Sequence, residues 1–196
     1  MAVPSPSFLP DKADLRSAMR QRRRDYAASL APETREALEA ALAQVLEALL
    51  FKATVVAGYF PMKDEVSTLP ALRRAQAIGK TAVLPAFVDR DARMTFRAGE
   101  PLDPGPWGIL QPEMSAPTVS PDLVLVPLIA VDRAGNRIGM GKGHYDRALP
   151  GLRQAGATLV GVGWDFQLLD GALRPDPWDI PLDAFASPGG LQEFKA

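Results

Sequence analysis

The sequence predicts an α/β fold: a single-domain sandwich with a mostly parallel central sheet flanked by helices. Three observations carry that expectation. Apolar runs of strand length alternate with stretches of helical spacing, the order that builds parallel sheets. The most apolar run, DLVLVPLIAVD (122–132), has the character of a central strand buried on both faces. The chain has 196 residues, 47% of them hydrophobic, and no internal repeat, which suits one well-cored domain.

The elements follow in order. Residues 1–10, with three prolines and two serines, read as a flexible arm before a single domain over 11–196. Asp11 is the expected N-cap of a helix to about Ala28, in which Leu15, Ala18, Met19 and Tyr26 follow helical spacing. A second helix is expected over 32–50, opened by Pro-Glu and rich in Ala, Leu and Glu. ATVVAGYF (53–60) reads as a buried strand ended by Pro61. Ser67 or Thr68 would cap a helix through Ile78, with Gly79 just past its end. Strands are expected at 80–87 and 94–99, and an irregular connection over 101–121, where six prolines fall. The central strand 122–132 leads through a glycine-rich loop to a helix over 145–155 and a strand at 157–164. From Phe166 on the chain reads as turns and short elements.

Composition excludes several chemistries. Without cysteine there are no disulfides, thiol nucleophiles or zinc–thiolate sites. A single histidine, His144, leaves no material for a His-rich metal centre and makes a Ser-His-Asp triad an unpromising reading. Formal net charge is −1, so any attraction for phosphate must be local. No apolar run approaches the ~20 residues that span a bilayer. The first residues, MAVPSPSFLPDK, lack the pattern of a signal peptide. A cytoplasmic monomer with no membrane partner is expected. The basic string at 20–24 suggests a nucleic-acid patch, but aromatics are few and no RNA-binding motif is present, so no nucleic-acid partner is expected.

The chemistry concentrates in GMGKGHYDR (139–147). Gly139, Gly141 and Gly143 would let backbone N–H groups turn toward an anion, and the dipole of the following helix would favour it. Lys142 adds a full charge, and Asp146 could hold a magnesium ion bridging phosphates. The string matches neither the P-loop nor the dinucleotide fingerprint, and alone it fits a phosphate loop and a plain turn equally. Three other places favour the loop. Lys12, Arg16 and Arg20 stack at four-residue spacing, continued by Arg22, Arg23 and Arg24, and begin at a helix N-terminus, where the macrodipole disfavours cations. FPMKDEVST (60–68) puts Asp64 and Glu65 past a strand end, where a carboxylate could recognise the amino edge of a heterocycle. In the tail, PDPWDIPLD (175–183) offers Asp176, Asp179 and Asp183 either as turn caps or as a second ligand for the metal.

Taken in order, these pieces resemble the 5-formyltetrahydrofolate cyclo-ligase family over nearly the whole chain after residue 10. The resemblance rests on Lys12-x-x-x-Arg16, on the aromatic-Pro-x-x-Asp-Glu segment from Phe60 to Glu65, and on Trp107-Gly-Ile before Gln-Pro. It rests most on the run from Asp122 through Asp132-x-x-Gly-x-Arg137 to Gly139-x-Gly-Lys-Gly-x-Tyr-Asp146. It implies an α/β sandwich similar to the sugar-phosphate isomerase and CoA-transferase superfamily. It implies ATP-driven closure of 5-formyltetrahydrofolate to 5,10-methenyltetrahydrofolate, with ATP and Mg2+ as cofactors. By the same resemblance Lys12 and Arg16 hold ATP phosphates, and Arg137, Gly139, Met140, Gly141, Lys142, Gly143, His144 and Tyr145 form the nucleotide loop. Lys142, with Arg137, serves the transferring phosphoryl group. Asp146 and Asp179 bind magnesium, Phe60, Glu65 and Tyr145 line the folate pocket, and Trp107 stacks on the folate. The chain departs from the family pattern at His144 and Trp178, where a tyrosine and a histidine are frequent.

Overall fold

The computed structural model of the chain describes residues 11–106 and 108–194. The expected arm (1–10) and Trp107 lie outside the described residues.

Three helices open the chain: α1 (Lys12–Ser29), α2 (Pro32–Val45) and α3 (Glu47–Lys52). Asp11 caps α1 as expected, its carboxylate accepting from the Ala13 N–H at 2.7 Å. The single helix expected over 32–50 is two. At the junction the Leu49 N–H reaches the Leu46 carbonyl at 2.9 Å, a three-residue bond that tightens the turn between them.

Strands β1 (Val55–Ala57) and β2 (Thr81–Ala86) flank helix α4 (Leu69–Ala77), and β3 (Thr95–Ala98) follows. The strand expected over 53–60 is cut short because the chain exchanges sheet pairing for a side chain. Thr68 Oγ1 accepts from the Tyr59 N–H at 3.0 Å and donates to the Tyr59 carbonyl at 2.8 Å. Thr68 is therefore spent on that bond, and it is the Ser67 hydroxyl that accepts from the Leu69 N–H at the start of α4. Two short strands, β4 (Asp103–Pro104) and β5 (Leu110–Gln111), interrupt the proline-rich connection.

The run 122–132 is likewise not one strand. It splits into β6 (Leu123–Pro127), in the main sheet, and β7 (Ala130–Asp132), in a small sheet with β8 (Arg137–Ile138). The cause is distant in sequence. The Leu128 and Ile129 carbonyls accept from the Gln167 side-chain amide at 2.9 and 3.0 Å, and Leu128 also accepts from Arg23 at 3.2 Å. Helix α5 (His144–Gln154), β9 (Thr158–Val162), a 3-10 turn (Asp165–Gln167) and β10 (Leu168–Leu169) come next. The tail holds two strands that the sequence does not announce, β11 (Ala184–Ser187) and β12 (Gly190–Glu193).

The main sheet runs β12-β11-β9-β6-β1-β2-β3. Its five inner strands pair parallel, and both edge strands are antiparallel. Alternate residues of β6 divide between two cores. Leu123 and Leu125 pack with Leu42, Leu46 and Leu72 beneath α2–α4, while Val124 and Val126 join Leu149 of α5 on the other face. A third cluster, Met19, Ile129, Ala130, Ile138 and Leu173, seats α1. Among the described residues no helix is long and apolar enough to cross a membrane.

Candidate active site

Ligands in open parallel sheets sit beyond the carboxyl ends of the strands. Here the residues after β1 (Phe60–Glu65), after β6 (Leu128) and after β8 (Gly139–Gly143) all lie on that side, and α1 touches each of the three. Its cationic face is selected by helical geometry. At about 100° per residue, positions 12, 16, 19 and 23 fall within a stripe roughly 60° wide, while position 20 has drifted about 80° from position 12. Met19 and Arg23 are buried accordingly, and Arg20, Arg22 and Arg24 are not. The expected continuation of the stripe through Arg20 is thus corrected to Arg23.

Each cation of the stripe has a partner at the site. Lys12 Nζ bridges Asp176 and Asp179, both at 2.7 Å. Burial pulls the Lys12 ammonium down, but its bonds to and charge attraction from the two aspartates outweigh this and leave it above the ordinary lysine value. Arg16 Nε donates to the Gly139 carbonyl at 3.0 Å. Arg23, only 2% exposed, donates to Asp64 at 2.8 Å and to Glu65 at 3.4 Å.

The glycine loop has the conformation that its residues permit. Gly141 and Gly143 have φ of +81° and +71°, a region that side-chain-bearing residues rarely adopt. Gly143 is the N-cap residue of α5 and offers no side chain to the first-turn N–H groups, which leaves that end open to an anion. Ahead of the loop, the buried Asp132 accepts from the Ala134 and Asn136 backbones and from Leu173, fixing the turn that delivers Arg137. Arg137 pairs with Asp146, while its Nε is buried without a partner. The Tyr145 hydroxyl is a second buried polar atom without a partner. Lys142 is exposed. Burial, then the charges of Arg147 and Lys142, lower the His144 pKa, keeping that ring neutral at pH 7.

The Glu65 loop is held from several directions. Glu65 Oε2 accepts from the Met62 N–H at 2.9 Å, Arg35 of α2 donates to the Lys63 and Glu65 carbonyls, and Trp164 Nε1 donates to the Asp64 carbonyl at 3.1 Å. Burial raises the Glu65 pKa against the opposing pull of Arg23. Burial also raises Tyr145, and the negative charge of Glu65 adds to it, so Glu65 and the glycine-loop tyrosine lie within electrostatic reach. Phe60 is half-buried in the same loop. On another side His144 meets the ring of Phe87 edge-on, centroids 4.8 Å apart. Phe87 lines an open cleft of about 580 Å³ with Val88, Gln111, Met114 and residues 103–106.

The structure therefore gathers Lys12, Arg16, Arg137 and Tyr145, with Glu65, on the side where β1 and β6 end. Asp146 and Asp179 are engaged by cations, and among the described residues no group of three or more Asp, Glu, His or Cys is arranged to hold a metal. Arg35 and Trp164 escaped the sequence reading, and Arg23 entered it only as one of a basic run. Its helical phase with Lys12 and Arg16 is the signal that marks it as the inward member.

Comparison with known proteins agrees with this fold. The model of the 5-formyltetrahydrofolate cyclo-ligase family matches residues 9–188. A 5-formyltetrahydrofolate cyclo-ligase of Escherichia coli K12 is 30% identical over 186 residues, covering 90% of this chain and 100% of that protein. One from Mycolicibacterium smegmatis is 32% identical, covering 90% and 93%. The NMR structure of Aquifex aeolicus 5,10-methenyltetrahydrofolate synthetase superposes with a TM-score of 0.77 at 28% identity, covering 94% of this chain and 93% of that one. The synthetase of Mycoplasma pneumoniae does so with a TM-score of 0.67 at 26% identity, covering 91% and 99%. The chain belongs to the 5-formyltetrahydrofolate cyclo-ligase family.

Proposed function

We propose that this protein closes 5-formyltetrahydrofolate to 5,10-methenyltetrahydrofolate at the expense of ATP, releasing ADP and phosphate through a phosphorylated formyl intermediate. The observation that carries the reading is the pair of buried, unpartnered polar atoms flanking the glycine loop, Arg137 Nε on β8 and the Tyr145 hydroxyl in α5. Native proteins rarely leave such groups unpaired, so two on either side of one loop mark a place where a ligand supplies the partner.

The formamide oxygen is a poor leaving group until it is phosphorylated. Its attack on the γ-phosphorus breaks the bond to ADP. N10 of the folate then attacks the activated carbon, the carbon–oxygen bond breaks, phosphate departs and N10 loses its proton. Such transfers need positioning and charge neutralisation more than a protein nucleophile. In this reading Lys142, with Arg137, neutralises the transferring phosphoryl group, and the open N-terminus of α5 with Gly139–Gly143 cradles phosphate oxygens. Lys12 and Arg16 hold the remaining phosphates, and His144 with Met140 completes the nucleotide side. Glu65 accepts from the amino and ring N–H donors of the pterin, while Phe60 and Tyr145 line that pocket. Trp107 stacks on the folate.

Magnesium, when bound, neutralises phosphate charge. Asp146 and Asp179 suit it, because magnesium commonly uses one or two carboxylates with phosphate oxygens and water. Each is paired with a cation assigned to phosphate, Arg137 and Lys12 respectively, so phosphate binding would release both. The protein is proposed to act as a cytoplasmic monomer.

Lys142→Ala tests the reading. Turnover should fall by roughly a hundredfold or more, as when a transition-state donor is lost, while 5-formyltetrahydrofolate still binds. Near-normal turnover would remove the loop from catalysis.

A further inference from the structure

The buried guanidinium of Arg23 has a part to play beyond the groups assigned above. We propose that Arg23 is a positioning residue that orients the Glu65 carboxylate and ties it to the glycine loop, so that one side chain sets both halves of the active site. The inference rests on the reading of Glu65 as the carboxylate that recognises substrate.

The geometry carries it. All three guanidinium nitrogens are engaged, and their partners come from three separate segments. Nε donates to Asp64 at 2.8 Å, Nη1 to Glu65 at 3.4 Å and to the Leu128 carbonyl at 3.2 Å, and Nη2 faces Met140 Sδ at 3.9 Å. Each partner segment leaves the sheet on the ligand side. The guanidinium spans the Asp64–Glu65 segment, the β6–β7 break and the glycine loop. Only arginine has a planar fork that reaches several acceptors at once, whereas lysine offers one compact charge.

The charged and titratable groups around Glu65 give the proposal a signature. Arg23 comes from α1, Asp64 from its own loop, Tyr59 from the end of β1 and Tyr145 from α5. Arg35 of α2 bonds only the Glu65 backbone carbonyl, so Arg23 is the cation bonded to the carboxylate itself. Without it, burial and Asp64 would be opposed only by the Met62 N–H bond, and the carboxylate would take up its proton at a higher pH. A protonated Glu65 accepts hydrogen bonds poorly, so substrate affinity should be lost as pH falls through that raised value.

The experiment measures binding of 5-formyltetrahydrofolate to the full chain by quenching of tryptophan fluorescence, without ATP, across pH. It compares wild type with R23M, R23K and E65Q, and pairs these curves with kcat and the KM for ATP. For R23M the acid limb of affinity should move to higher pH by about one unit or more, giving roughly tenfold weaker binding near neutrality that recovers in alkali. R23K should keep the wild-type limb, because the charge remains, yet lose several-fold in kcat, because the tie to Leu128 and Met140 is gone. Affinity lowered equally at every pH in R23M, or kcat unchanged in R23K, would overturn the proposal. Should R23M fail to fold, R23K decides alone: a preserved limb with lowered kcat supports positioning, and wild-type values of both refute it. E65Q separates the two readings. Undiminished binding in E65Q would sink the substrate role of Glu65, whereas weakened binding in E65Q beside a pH-independent loss in R23M would sink the role of Arg23 only.

Discussion

The first turn and the interior of α1 carry the same kind of charge in opposite settings. At its N-terminus Lys12 bridges two aspartates, with about a quarter of its side chain open to water, at 24%. Three turns on, Arg23 bridges Asp64 and Glu65 with only 2% of its side chain exposed. A pair in contact with solvent can be exchanged for a ligand at little cost, because water compensates each partner as it is released. A sealed pair cannot, since either partner left alone is a buried charge. One helix thus presents a replaceable cation toward the phosphate side of the proposed site and a fixed one toward Glu65, the carboxylate proposed to bind substrate.

Substitutions can break this contrast in order of size. Arg23→Met should do the most damage to folding, about 3 kcal/mol, because it strands the buried Glu65 carboxylate without its cation. Urea unfolding measures it, and a loss below about 1 kcal/mol would mean that the Arg23 network is wetter than drawn. Lys12→Ala should cost less than about 1 kcal/mol in stability. It should nonetheless weaken ATP roughly tenfold or more, the value of a charge-assisted contact, read by titration calorimetry with nucleotide. Stability losses of equal size at the two positions would erase the distinction.

The Lys12 pair has a pH signature as well. Its folded pKa lies above the ordinary 10.5, so its contribution is whole below that value and fades as pH rises through the raised folded value. The stability difference between wild type and Lys12→Ala should therefore shrink only in strong alkali. A difference that vanished near neutrality would point to another origin. The smallest effect belongs to the cap: Asp11→Ala should lower stability by about 0.5–1 kcal/mol and leave Arg23 in place. A larger loss in urea unfolding would show that Asp11 does more than cap α1.

What was legible in the sequence was local. The Asp11 cap, Gly79 after α4 and the alternation of strands with helices each depend on near neighbours, and each is found. What was missed depends on partners far along the chain. The break after Pro127 exists because Gln167 and Arg23 take the carbonyls of Leu128 and Ile129, and nothing within 122–132 signals it. Strand β11 is only four residues long and is fixed by parallel pairing with β9, more than twenty residues earlier in sequence. Among the site residues, the glycine loop could be read from its spacing and company. Arg23 was concealed within a run of arginines, where composition suggests a solvated face and only helical phase singles out the inward member.

The most direct test of the function proposed here is optical. Purified protein is mixed with 5-formyltetrahydrofolate, ATP and magnesium, and the near-ultraviolet absorption band of the methenyl product is followed. The account predicts that the band grows, and that it fails to grow when either ATP or magnesium is withheld. A flat trace from folded protein with all three present would contradict it.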